Sequence, residues 1–182
     1  MNPFDTLDPE VRRRAAGIRL VAFDVDGVLT DGSLFIGDGG EEYKAFHSRD
    51  GHGMKMLGAT GVTLAVITGR ESEVVRHRME SLGIDHVHQG CLDKRPAFES
   101  LLAETGIAPE EAAYVGDDVV DLPLLRRVGL AVAVADAAEA VRQRVHWITP
   151  SGGGRGAARE VCELIMEARG TLDTALAPYL ES

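Results

Sequence analysis

The chain has 182 residues, enough for one domain with a substantial core and too few for a second independent one. Its 45% apolar and 26% charged residues suit a folded globular domain and exclude a disordered chain, and no apolar run reaches membrane-spanning length. A net charge of −10, with 29 acids against 19 Lys plus Arg, excludes a general nucleic-acid surface, so an anionic substrate must be held by local positive charge.

The first element is predicted at Asp8-Pro9-Glu10, where Asp as cap and Pro at the first turn open a helix in an N-terminal extension, residues 1–18. Nothing in Met1 to Arg19 has the apolar core of a signal peptide, and Cys91 and Cys162 lack any paired spacing. Both cysteines are therefore expected to be reduced core residues of a cytoplasmic protein. Strands are predicted at 20–23, 63–67, 86–88, 112–115, 131–134 and 146–148. Helices are predicted at 52–59, 71–82, 95–105, 122–128 and 138–144. Gly61, Gly83, Gly106 and Gly129 each follow an apolar helical face and are expected to stop a helix. One interval breaks the alternation: residues 32–50 hold two short β-like stretches around a glycine turn, a hairpin flap. Residues 151–182 form a glycine-rich segment followed by an amphipathic helix at 157–168 and a tail. The whole, residues 1–182, is predicted to be a single α/β domain with a doubly wound, mainly parallel sheet.

Chemistry collects at the carboxyl ends of these strands, where ligands of such sheets sit. Asp24 and Asp26 follow the apolar run Leu20 to Phe23, two positions apart, so pleating sends both side chains to one side. Such a pair needs a cation, a lysine or a shared proton, and is a candidate nucleophile and acid/base couple. An Asp-Gly turn is the alternative for Asp26. Thr68 and Gly69 end the second strand, offering a hydroxyl and backbone N–H groups to an anion, or merely a helix cap. Lys94, before a helix, is either a site cation or a solvated side chain. Asp117, Asp118 and Asp121 follow the strand at 112–115, with Asp121 one helical turn beyond the other two. Taken alone, Asp121 could simply compensate a helix dipole.

Asp-x-Asp, then Thr, then Lys, then Gly-Asp-Asp-x-x-Asp, each after an apolar strand, resembles the haloacid dehalogenase superfamily of phosphotransferases over residues 19–134. The resemblance implies that Asp24 is the nucleophile and Asp26 the general acid/base. It further implies that Asp24, the Asp26 carbonyl and Asp117 hold Mg²⁺, with Thr68 and Lys94 on the phosphoryl group. Asp118 and Asp121 would orient metal-bound water or Lys94. Asp24 to Thr68 spans 44 positions and Lys94 to Asp117 only 23, so no cap domain fits. The stretches Glu41 to Phe46, Arg49-Asp50-Gly51, Ile67 to Arg70, Tyr114 to Asp118, Ala131 to Asp136 and Gly152 to Cys162 resemble one capless family more closely. Its members hydrolyse 3-deoxy-D-manno-octulosonate 8-phosphate in lipopolysaccharide biosynthesis.

That resemblance implies a small anionic sugar phosphate as substrate, and no nucleic acid or membrane partner. It also implies a homotetramer whose neighbouring subunits cover the site. Arg49, Arg70 and Arg78, with Asp26, Thr68, Gly69 and Lys94, become candidates for binding the substrate, since a guanidinium grips a carboxylate bidentately. Arg78 lies among charged residues and has solvation as its alternative, and the glycine-rich segment either closes over a site or serves as a linker. The competing functions are a phosphatase for a nine-carbon ulosonic acid 9-phosphate and a non-catalytic oligomerisation module. A receiver domain is disfavoured by motif order. His86 and His88 alternate like zinc ligands but lack companions, and Trp147 is expected to pack under the last helix.

Overall fold

The computed structural model describes Phe4 and residues 7–180; the parts of the expected N-terminal extension and tail at residues 1–3, 5–6 and 181–182 lie outside the described residues. Six strands form one all-parallel sheet: β1 Leu20–Phe23, β4 Thr63–Ile67, β5 His86–His88, β6 Ala112–Gly116, β7 Leu130–Ala133 and β8 Trp147–Ile148. Their order is β5-β4-β1-β6-β7-β8, so the chain winds outward from β1 first to one side and then, from β6, to the other. The reversal falls between β1 and β6. Loops diverge from a parallel sheet at such a point and leave a crevice beyond the strand ends. The strands β1, β6 and β7 are buried throughout, as apolar runs covered on both faces must be.

The helices are α1 Pro9–Ala16, α2 Ser48–Ala59, α3 Glu73–Leu82, α4 Arg95–Thr105, α5 Leu122–Leu125, α6 Glu139–Arg142, α7 Ala157–Ala168 and α8 Leu172–Leu180. Asp8 caps α1 as expected, accepting the Glu10 N–H at 2.8 Å. The buried face of α7 packs on α2 and α1 of its own chain. Asp50, buried in α2, accepts the Gly156 and Arg159 N–H groups at 3.3 and 2.9 Å and so satisfies the start of α7. No helix among the described residues is long and apolar enough to cross a membrane.

Several expectations are corrected. Helix α2 starts at Ser48 rather than His52, so the flap ends before residue 50. Glycines 51 and 53 argue against helix locally, yet they admit Arg78 and Arg159, whose atoms lie within 2.2 and 2.6 Å of where a Cβ would stand. The last segment holds a further helix, α8, despite Pro178. Gly83 and Gly106 do end helices in the left-handed conformation. Gly129 does not: its φ is not positive, and a Cβ there would stand 1.8 Å from the Glu110 carbonyl oxygen, so close packing is its role. Cys162 is buried, but Cys91 is only partly so.

Candidate active site

Loops from β1, β4, β5 and β6 converge beyond the sheet's carboxyl edge. Asp24 continues β1, its N–H donating to the Val115 carbonyl at 3.0 Å, and its side chain is only 8% exposed. Its Oδ1 accepts the Val25 N–H at 2.7 Å, and its Oδ2 lies 2.8 Å from Lys94 Nζ. Lys94, directly before α4, is buried and also meets Asp121 Oδ1 at 2.6 Å and the Tyr114 hydroxyl at 3.0 Å. Tyr114, from β6, donates its hydroxyl to the same Asp121 oxygen at 2.8 Å. Asp121 Oδ2 accepts the N–H groups of Asp117 and Asp118 at 2.9 and 3.2 Å. Both Asp121 oxygens are thus engaged, and Lys94 is held facing Asp24.

Asp24, Asp117 and Asp121 each present an oxygen within 4.8 Å of the others. Burial pushes the Asp24 carboxyl up to about 6, the Asp121 charge adding to it and Lys94 opposing. Burial and the charges of Asp121, Asp24 and Asp118 push Asp117 up to about 7. Burial works against the Lys94 charge, but Asp24 and Asp121 outweigh it and raise the ammonium above its usual value. One lysine among three crowded carboxylates leaves a deficit of positive charge. Two hard oxygen donors, Asp24 and Asp117, suit a divalent cation such as Mg²⁺, whereas Asp121 is already committed to Lys94 and to backbone N–H groups.

The turn after β1 shapes this cradle. Gly27 has φ +88°, a conformation open to glycine, and a Cβ there would stand 2.1 Å from Asp117 Oδ2. Gly116 is required in the same way, since a Cβ would meet Asp121 at 2.6 Å.

The flap consists of β2 Phe35–Ile36 and β3 Glu42–Tyr43, an antiparallel pair. It folds back so that Lys44, whose side chain is 1% exposed, ion-pairs with Asp26 Oδ1 and lies 3.2 Å from Glu42 Oε1. Arg70 joins the cluster, 2.9 Å from Glu42 and 3.8 Å from Asp26 Oδ2. Arg70 and Lys44 outweigh burial and hold the Glu42 carboxyl below its usual value. Sequence reasoning missed Lys44, Glu42 and Tyr114. The available signals were the two-residue spacing of Glu42 and Lys44, which places both on one side of an extended stretch, and a lone hydroxyl in the apolar strand β6.

The structure brings Asp24, Lys94, Asp117 and Asp121 into one cluster and Asp26 and Arg70, with Lys44 and Glu42, into a second, the two joined by the turn after β1. Thr68 is buried just past β4, and its N–H donates to the His88 carbonyl at 2.9 Å, extending the ladder. It does not cap the next helix; Ser72 holds that position and α3 begins at Glu73, four residues beyond Gly69. Asp118 is exposed and caps the following 3₁₀ turn by accepting the Val119 N–H at 2.7 Å. Arg49 is exposed on α2, and Arg78 packs over the Phe46 ring at 5.8 Å and against Gly51; neither makes a hydrogen bond or ion pair with the site carboxylates. The glycine-rich segment is no linker: Gly154 donates its N–H to the Val28 carbonyl at 2.9 Å, and Arg155 pairs with Asp31 at 2.9 Å. His88 and His86 lie on the edge strand with no metal-binding cluster around them among the described residues.

Comparison with known proteins gives this geometry a context. Residues 87–160, carrying Lys94 and the Asp117 to Asp121 group, match the haloacid dehalogenase-like hydrolase family. The chain is 47% identical over 172 residues to 3-deoxy-D-manno-octulosonate 8-phosphate phosphatase KdsC of Salmonella typhimurium, covering 94% of this chain and 92% of that protein. The crystal structure of a probable YrbI family phosphatase from Pseudomonas syringae pv. phaseolica superposes with a TM-score of 0.94 at 51% identity, over 96% of this chain and 99% of that one. The 3-deoxy-D-manno-octulosonate 8-phosphate phosphatase of Moraxella catarrhalis, solved with magnesium, phosphate and KDO, superposes with a TM-score of 0.91 at 42% identity, over 93% and 98% of the two chains. With its motifs in order on one doubly wound sheet and near-full-length identity of this size, the chain belongs to the 3-deoxy-D-manno-octulosonate 8-phosphate phosphatase family of haloacid dehalogenase-like hydrolases.

Proposed function

We propose that this chain is a Mg²⁺-dependent phosphomonoesterase that hydrolyses 3-deoxy-D-manno-octulosonate 8-phosphate to the free sugar acid and phosphate. The observation that carries the reading is the buried Asp24 carboxylate, gripped by Lys94 and facing Asp117, in a chain 46–47% identical to such enzymes over 94% of its length. By the names of these relatives, the substrate class is a small anionic sugar phosphate; lipopolysaccharide biosynthesis is the pathway that the resemblance implies.

Asp24 attacks phosphorus, since its carboxylate stands at the end of a rigid central strand with Lys94 fixing its orientation. Attack forms an Oδ–P bond while the P–O bond to the sugar breaks. Asp26 protonates the departing alkoxide and afterwards takes a proton from the water that hydrolyses the aspartyl phosphate. Lys94 and Thr68 neutralise and hold the remaining phosphoryl oxygens, and Asp121 with Tyr114 keeps the Lys94 ammonium in place. Asp24, the Asp26 carbonyl and Asp117 would hold Mg²⁺, which would supply the positive charge that screens the repulsion between the carboxylate and a phosphate dianion. Arg70 at the rim is the arginine best placed for the sugar carboxylate, being already within reach of Asp26 and Glu42. Arg49 and Arg78 reach the substrate only if a neighbouring subunit or flap movement extends the site.

The flap exposes Leu34, Phe35, Ile36 and Tyr43, and the rim exposes Leu92, Val119 and Val120. Apolar surface at both places supports self-association in which neighbours cover an otherwise open, capless site, and the homotetramer is what the resemblance implies. A cytoplasmic location accords with two free cysteines.

Phosphate release from a panel of sugar phosphates, measured with Mg²⁺ and with EDTA, tests the reading. Turnover of the eight-carbon ulosonic acid phosphate that stops with EDTA is expected. No release from any ulosonic acid phosphate would overturn the substrate, and activity indifferent to EDTA would overturn the metal.

A further inference from the structure

The segment Gly152-Gly153-Gly154 lies flush against the back of the turn that carries Asp24 and Asp26. A Cβ on Gly153 would stand 1.9 Å from the Gly27 carbonyl oxygen and 2.8 Å from that of Thr30, and one on Gly154 2.6 Å from the Asp31 nitrogen. The Gly154 N–H donates to the Val28 carbonyl, which joins the two backbones directly. Gly27 in turn is the residue on which the Asp117 carboxylate rests. Contact therefore runs from the glycine segment through Gly27 to one of the two carboxylates suited to a cation.

One side chain ties this stack together. Asp136, in the turn after β7, accepts the Gly153 N–H at 2.9 Å through Oδ1, and its Oδ2 would lie 2.7 Å from a Cβ on Gly152. The same turn reaches the other side of the cradle, because Ala138 donates its N–H to the Asp117 carbonyl at 2.7 Å. It is tied to the segment a second time by the Ala135 N–H, which donates to the Ser151 carbonyl at 3.2 Å. Residues 135–138 thus hold Asp117 by its main chain and, through Gly153 and Gly27, by the surface beneath its carboxylate.

We infer that Asp136 is a positioning residue that braces the glycine segment against Gly27 and thereby sets the separation of Asp24 and Asp117 for Mg²⁺. The inference rests on the proposed metal role of those two carboxylates. Asp136 touches neither metal nor substrate. Its effect is on how closely the donors are preorganised, which governs affinity for a cation that demands near-octahedral oxygen geometry.

Mg²⁺ binding to the full chain, measured by calorimetry without substrate, tests it with Asp136→Ala and Asp136→Asn. Asp136→Ala is expected to weaken Mg²⁺ affinity about 10-fold, the lower range for partners lying behind metal ligands. Asp136→Asn keeps an oxygen to accept the Gly153 N–H and is expected to bind within about twofold of the parent. In turnover, Asp136→Ala should raise the Mg²⁺ concentration needed while kcat at saturating Mg²⁺ and KM for the sugar phosphate remain near the parent values. Parent-like Mg²⁺ affinity in Asp136→Ala would overturn the brace, and so would an equal loss in Asp136→Asn, which would make the effect one of charge. Failure of the unsubstituted protein to bind Mg²⁺ would overturn the metal reading itself, a distinct result. Gly153→Ala, which presses on the Gly27 carbonyl, provides a second variant and should weaken Mg²⁺ affinity with the Asp136 hydrogen bond in place.

Discussion

Lys44 of the flap is ion-paired with Asp26 across eighteen positions of chain, its side chain sealed from solvent between that carboxylate and Glu42. The contact couples the flap to the residue proposed to move the proton. Lys44→Met is expected to lower kcat/KM for the sugar phosphate by about 10-fold or more, a loss of roughly 1.4 kcal/mol in transition-state stabilisation. Phosphate-release kinetics check it, and parent-like kcat/KM would show that the pair is a static surface contact.

Asp24→Asn is expected to abolish turnover while leaving the domain folded. The amide keeps the shape of the carboxylate, and Lys94 retains Asp121 and Tyr114 as partners. A far-ultraviolet circular dichroism spectrum like the parent's, with no phosphate release above background, is the expected result. Residual turnover near the parent rate would remove Asp24 as nucleophile.

The acids at the end of β6 should separate cleanly by stability. Asp121→Ala leaves a buried ammonium with one carboxylate fewer and strips the Tyr114 hydroxyl and two N–H groups of their acceptor, a loss of about 3–5 kcal/mol. Asp118→Ala removes only an exposed cap and should cost about 1 kcal/mol. Urea titrations of the two variants check the difference, and equal midpoints would contradict it.

Asp117 makes stability depend on pH in a direction opposite to that of a salt-bridged acid. Its carboxyl titrates at about 7 in the folded protein against an ordinary 3.8, because burial and three neighbouring acids disfavour its charge. The folded state therefore holds this proton more tightly than the unfolded chain does. Its ionisation begins to weaken folding above the unfolded value, and the full penalty is present above the folded one. Without metal, Asp117→Asn should melt higher than the parent at about pH 8, at roughly 2–4 °C per kcal/mol, with the gap closing as pH falls toward 4. Excess Mg²⁺ at pH 8 should raise the parent's Tm and leave the variant's nearly unchanged. A gap that widens on acidification would reverse the argument.

Much of the fold was legible in the apolar runs: Leu20 to Phe23 and Thr63 to Ile67 match the observed strands residue for residue, as does the half-buried edge strand His86 to His88. The start of α2 was hidden because Gly51 and Gly53 disfavour helix locally, and only α3 and α7 packed against them explain their presence. Asp24, Lys94 and Asp117 were visible as polar residues at strand ends. Lys44 was not, since its meeting with Asp26 depends on the path of a hairpin whose two strands are two residues each. The glycine-rich stretch suggested mobility by composition, yet its glycines serve close backbone contact, a role visible only once the turn at Gly27 lies beneath them.

The sheet order places β1 between β4 and β6, strands that follow it by roughly forty and ninety positions. During synthesis, Asp24 therefore leaves the ribosome long before Lys94 and Asp117 exist to meet it, and the segment bearing Gly153 comes later still. A nascent chain carries the proposed nucleophile without Asp117 or the lysine that pairs with it. No shortened product ending before β6 can gather these groups, so chemistry begins only when the sheet has closed on both sides of β1.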